Sequence, residues 1–449
     1  MQKIFRIKND LSPLIKLAVP LAVTALVQSS IWFFQTLFLA HVSVETLAAS
    51  SLVNWFFGTV AVILFGTLSS INILVAYKHG ANDDEGIMRV ARDGILLAIL
   101  LVIPAIFLLW NMADLFAWMG QSRSVVVLAR AYLHALSWGL LADFITMAFF
   151  EVMIGLGHTR AILVFSTLFV LLNIFLSYTL ILGRFGFSQL GMAGAGWAMA
   201  ISYWITFVIF LAYLWSRKMY RYYFRDIFKL VPTQHIVELF KLGIPMGGMY
   251  FVEVGFFFIL ALMMGLLGSQ YQAANQVALQ YLNLVINIVF AIAQAITVRM
   301  GHLLGSDQPK SAEKAAYVGI GLSVIVAFVS AITYWVLPEL LIAVDVNIHD
   351  PKNAKFVELA RNFLAICAAY QFIEAIRITY FGALRGLKDT HYSLISSLIG
   401  FWFISIPIGY LLAIYFKFGG LGFWWAMILG SVMSALLLAQ RFRKKMAIL

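Results

Sequence analysis

Apolar residues run in long blocks through the whole chain, and short polar clusters separate each block from the next. Within a block there is neither the strict alternation of a half-buried strand nor the single stripe of a surface helix; Leu, Phe, Ile and Met occupy every face. About 20 such residues cross the hydrocarbon core of a bilayer as a helix. The blocks fall at 11–40, 46–77, 94–118, 126–156, 161–183, 192–216, 236–268, 270–305, 312–338, 356–386, 391–416 and 420–441, which predicts an all-α polytopic membrane protein with twelve transmembrane helices. A transmembrane β-barrel would show ten-residue alternating segments instead. The basic start MQKIFRIKNDLSPLIK leads into a full-length block without a short apolar region and small-residue cleavage site, so no removable signal peptide is expected.

The pattern repeats. LAVPLAV around Pro20 matches LGIPMGG around Pro245, and HGAND at 79–83 matches LGSDQ at 304–308, both at an offset of 225. IGLGHT at 154–159 matches RGLKDT at 385–390, and Trp197-Ala198-Met199 matches Trp425-Ala426-Met427. The expected organisation is a cytoplasmic tail (1–10), an N-lobe of helices 1–6 (11–216), a basic cytoplasmic linker (217–235), a C-lobe of helices 7–12 (236–441) and a second tail (442–449). An even number of spans per repeat leaves both halves in one orientation. The two six-helix lobes are therefore expected to be related by a pseudo-twofold axis along the membrane normal, around a central site served by alternating access.

Composition agrees and narrows the options. Hydrophobic residues make up 63% of the 449 and charged ones only 11%, outside the range of soluble domains. A net charge of +11 would suggest nucleic acid for a soluble chain. Here 22 of the 31 Lys and Arg fall in the tails and even-numbered loops or at the span ends beside them, against five in the opposite loops. The positive-inside rule accounts for that, with both termini cytoplasmic in a multi-pass protein of the inner membrane and no nucleic-acid partner. The single cysteine, Cys367, rules out an intramolecular disulfide and a cysteine metal cluster. Neither GxxxxGK[ST] nor HExxH occurs, which argues against an ATP-driven pump or a metalloenzyme of those types; a transporter without a cofactor is expected.

The informative residues are the polar ones inside the blocks. Glu253 and Glu374 each lie deep in a span, where a carboxylate costs a few kcal/mol or more unless paired, protonated or hydrated. Together they suggest a site for a coupling cation, H⁺ or Na⁺. A structural ion pair between Glu374 and Arg377, three residues on, is the alternative. Gln276, Gln280, Asn283 and Asn287 are spaced 4, 3 and 4 apart, one helix face that Gln294 extends; either a hydrated substrate cavity or interhelical hydrogen bonds would use it. Thr24, Gln28 and Gln35 form a shorter version in the first span, with Trp32 placed to stack on a flat cation or simply to pack. Asp143 precedes Glu374 by 231 positions, so it is the first-half counterpart, a candidate for gating or charge modulation along with Arg377; Glu151 follows two turns later. Pro20 and Pro245 sit in matching places and act as hinges or as inert kinks. Arg130 and Arg361 lie near span ends, where they can snorkel.

The segments QVALQ at 276–280, VRMGHLLGSDQ at 298–308, LGIP leading to Glu253, and GALRGLKDT at 382–390 make the chain resemble the multidrug and toxic compound extrusion (MATE) family, nearest its NorM-type branch, over about residues 11–440. The resemblance implies a V-shaped pair of six-helix lobes that exports organic cations and drugs in exchange for Na⁺ or H⁺. It places the coupling site at Glu253, Tyr370 and Glu374, with Na⁺ favoured at the two carboxylates. Three departures stand out. Glu374 replaces a usual Asp, and Phe34-Gln35-Thr36 lacks the usual first-span Asp, so coupling is expected to fall on the C-lobe. Arg377 stands where a neutral residue is expected, placed to lower the proton affinity of Glu374 or to compete with a bound cation. The expectation is a monomeric antiporter for organic cations; a flippase for a lipid-linked or amphiphilic metabolite is the alternative, and a passive channel a third.

Overall fold

The computed structural model describes residues 2–225 and 233–449, with the side chains of 2–10 left aside. Among the described residues there is no strand. The helices are α1 (Gln2–Ala40), α2 (Val44–Leu68), α3 (Ser70–Gly80), α4 (Asp84–Trp118), α5 (Arg123–Ser137), α6 (Leu140–Gly155), α7 (Thr159–Leu182), α8 (Gly191–Ser216), α9 (Lys218–Phe224), α10 (Ile236–Leu266), α11 (Ser269–Gly305), α12 (Pro309–Val336), α13 (Pro338–Ile342), α14 (Ala354–Gly386), α15 (His391–Ser397), α16 (Ile406–Tyr410) and α17 (Gly420–Met446). Among the described residues eleven helical stretches are long and apolar enough to cross a bilayer, and the bent pair α5–α6, taken as one span, makes a twelfth.

That pair corrects the uninterrupted span expected at 126–156. The helix breaks at Trp138-Gly139 with a bend of 53°. A side chain at Gly139 would run into the backbone of Ala200 on α8, and the Trp138 carbonyl freed at the break accepts from Trp204 Nε1 at 2.9 Å. Packing on α8 thus satisfies the polar group that the break exposes. In the same way the expected linker at 217–235 contains a short helix, α9; residues 226–232 lie outside the described residues.

The chain forms two compact units: Val23–Gly247, and Gly248–Leu449 together with the chain up to Ala22. We call them the first and second unit. Division by contacts therefore falls inside α1 and α10, just after Pro20 and Pro245, rather than at the basic segment. Local packing explains why α10 begins in the first unit. Gly243 and Gly247 let its backbone approach the carbonyls of Thr67 and Ile63 on α2, where a Cβ would clash. The buried Asp93 of α4 accepts from the N–H groups of Gln234 and His235 at 2.9 and 2.8 Å, so it holds the entry to α10. Beyond Gly248 the partners change: the Val252 carbonyl accepts from Trp402 Nε1 at 2.9 Å.

The sequence repeat is also a repeat of local structure. Left-handed turns occur at Asn82 and Asp307, at Gly157 and Lys388, at Phe185 and Lys417, and at Gly191 and Gly419. Arg130 pairs with Asp114 in the first unit, and Arg361 with Glu339 in the second. Gly155 fits against Val75 and the Asn72 carbonyl, and Gly386 against Met300, so each half uses a glycine where two spans approach closely.

Candidate functional site

The acidic pair of the second unit is brought together on α10 and α14. Glu253 is 8% exposed, Glu374 3% and Arg377 1%. Arg377 lies between the carboxylates. Its Nη1 donates to Glu253 Oε1 at 2.7 Å, and its Nε and Nη2 grip Glu374 at 2.5–3.1 Å. Ser397 Oγ donates to Glu253 Oε1 at 3.1 Å, and Ser431 Oγ to Glu374 Oε2 at 3.0 Å. The guanidinium also lies 5.0 Å from the centre of the Phe401 ring. With both carboxylates ionised, the three side chains carry one net negative charge. The ion pair that the sequence offered for Glu374 alone thus embraces Glu253 as well, which lies 124 positions before its arginine.

Helix geometry explains the cluster. Glu374 and Arg377 are a turn apart on α14, so they share a face. Ser397 ends α15, where the helix passes into a π-helical stretch, Leu398–Ser405, that carries Phe401. Such wider turns are frequent at functional sites. Tyr370, one turn before Glu374, is fully buried, packs edge-on against Trp424 at 5.9 Å and makes no hydrogen bond of good geometry through its hydroxyl.

The first unit holds a cavity of about 290 Å³. Gln28 and Trp32 of α1 line it, and so does Asp143 of α6. Phe57, Phe65, Phe150 and Phe169 supply aromatic walls. Asp143 is 7% exposed and, among the described residues, is the only charged one in the lining and has no hydrogen-bond partner for its Oδ2. Gln28 Nε2 donates to Ser166 Oγ at 3.4 Å, the long end of the hydrogen-bond range.

Other expected site residues lie elsewhere. Gln35 does not line the cavity: it is 3% exposed and donates to Asn173 Oδ1 and Ser177 Oγ at 3.3 and 3.4 Å. Glu151 is bound at the junction of α2 and α3, where it accepts from Asn72 Nδ2 at 2.5 Å and Ser69 Oγ at 3.3 Å. Of the amide stripe on α11, Gln276, Gln280 and Asn283 are exposed and Asn287 half-buried, with no side-chain hydrogen bonds among the described residues. The interhelical bonds weighed for those amides are therefore not formed within their unit. Ser397, Ser431 and Phe401 were not singled out from the sequence. A serine in an apolar span is too common to signal a site, and no spacing rule links spans this far apart in the chain.

Comparison with known proteins places these sites in context. A family model described as MatE matches residues 20–179 and again 245–411, so each match opens at one of the two prolines. Proteins named "Probable multidrug resistance protein NorM" are 30% identical in Brucella suis biovar 1 (96% of this chain and 93% of theirs) and 31% identical in Pseudomonas syringae pv. tomato (98% and 96%). Among solved structures, one described as the outward-facing conformation of a multidrug resistance MATE family transporter aligns with a TM-score of 0.87 at 19% identity, over 97% of this chain and 96% of that one.

Proposed function

We propose, from the premise that this chain belongs to the MatE family, that it exports organic cations and drugs in exchange for a monovalent cation, by alternating access. The family makes it a polytopic membrane transporter, not an enzyme. The observation that carries the substrate class is Asp143. It is a buried carboxylate with an oxygen that no described residue hydrogen-bonds, facing a cavity whose other walls are mostly apolar and include six aromatic rings. A flat apolar cation gains there from charge, from the ring faces and from leaving water. An anionic lipid headgroup would meet a like charge, which disfavours the flippase reading.

Coupling is assigned to Glu253, with Glu374 and Tyr370 beside it. Only a group whose charge state or occupancy differs between the two access states can link a gradient to export. In this reading Pro20 and Pro245 serve as the hinges of α1 and α10. The exposed amides on α11 line the route of the substrate. The protein acts as a monomer in the cytoplasmic membrane, with both termini inside, on the side where 22 Lys and Arg lie in the tails and even-numbered loops or at the adjoining span ends. The test is efflux of a fluorescent organic cation from proteoliposomes, with Na⁺ and pH gradients imposed separately. Either gradient driving efflux supports the antiporter; no response to either, with folded protein, overturns it.

A further inference from the structure

The acidic pair of the second unit already contains a cation. Three of its four carboxylate oxygens are engaged: both oxygens of Glu374 by Arg377 and Ser431, and Glu253 Oε1 by Arg377 and Ser397. Only Glu253 Oε2 has no hydrogen bond among the described residues. A hard metal cation collects roughly six oxygen ligands. One free carboxylate oxygen offers far fewer, and the guanidinium stands where the ion would sit. A second positive charge about 4 Å from it would bind roughly a thousandfold more weakly than at the same carboxylates without the arginine.

We propose that Arg377 is the resident cation of this site and the residue that excludes Na⁺ from it, so that a Na⁺ gradient does not drive this transporter. The inference rests on the antiport reading and sharpens it. A proton needs one oxygen, and Glu253 Oε2 supplies it; the other charged or titratable groups facing it are Glu374, Arg377 and Tyr370. Arg377 acts on ion choice by occupying the space between the carboxylates. The neutral residue expected there would leave both carboxylates open to an external cation.

Two measurements on the full-length protein test this. In proteoliposomes at symmetric pH, an inward Na⁺ gradient drives no ethidium efflux from wild type beyond the choline control. In Arg377→Gln the same gradient does drive it, whereas Arg377→Lys, which keeps the charge, stays unresponsive. Separately, titrating purified wild type with NaCl against choline chloride leaves its tryptophan fluorescence flat (Trp424 packs on Tyr370 beside the site), and Arg377→Gln shows a saturable response. Na⁺-driven efflux by wild type, or a saturable Na⁺ response in it, overturns the proposal. So does an Arg377→Gln protein that folds and stays blind to Na⁺ in both assays. If Arg377→Gln does not fold, the wild-type results decide. Wild type that answers neither gradient defeats the antiport reading, while the fluorescence titration still judges the role of Arg377.

Discussion

Glu253 and Glu374 lie in a site where nearly every carboxylate oxygen is held, whereas Asp143 faces a cavity with an oxygen that nothing holds. Asp143 and Glu374 are counterparts in the repeat and both are buried. The difference comes from their neighbours. In the second unit an arginine one turn along α14 turns inward and draws two serines and two glutamates around it. In the first unit no basic side chain among the described residues lines the cavity with Asp143, and the space around it is left to aromatic and aliphatic side chains, an amide and a few hydroxyls. One repeat has its countercharge built in; under the proposed antiport, the other receives it from the substrate. This division suits an antiporter, in which one site handles the small ion and another the organic cation.

The contrast can be broken by substitution. The largest effect is expected from Glu253→Gln, which keeps hydrogen-bond acceptance but removes the charge: gradient-driven export falls to background while the size-exclusion profile and helical circular dichroism persist. Export at the wild-type rate would remove Glu253 from the coupling step. Next, Asp143→Asn weakens binding of organic cations by about tenfold to a hundredfold, and that of uncharged compounds of similar shape hardly at all. Equal losses for both classes, read by fluorescence titration, would make Asp143 structural. Trp32→Ala should cost about two- to fivefold, selectively for flat cations.

The smallest effect lies away from both sites. Asp83 caps α4 by accepting from the Gly86 N–H at 2.8 Å, and it pairs with Lys78 at 2.8 Å. Those bonds, that of Lys78 first, hold its carboxyl below the usual carboxylate range. The cap's stabilisation is therefore present above the ordinary carboxylate pKa and is lost as pH falls through the depressed one. Asp83→Ala costs about 1 kcal/mol at neutral pH. The loss in melting temperature should shrink on acidification, and export should be unchanged if the two sites alone set it.

Much of this protein follows from its sequence because the governing forces are local. Runs of 20 or more apolar residues must become helices in a bilayer, since no water is there to satisfy an open backbone. The repeat was legible at Pro20 and Pro245, where both family matches begin and just beyond which both unit boundaries fall. The depth of Glu253 and Glu374 could be read by counting along their spans. Tertiary structure decided which faces meet. It joined Arg377 to Glu253, brought Ser397 and Ser431 to the same oxygens, tied Gln35 to Asn173 away from the cavity, and broke the fourth span at Gly139. Those outcomes depend on glycine contacts, wide helical turns and side chains more than a hundred residues apart. An arginine one turn from a glutamate is a local fact; that it also reaches a second glutamate is a property of the packed molecule.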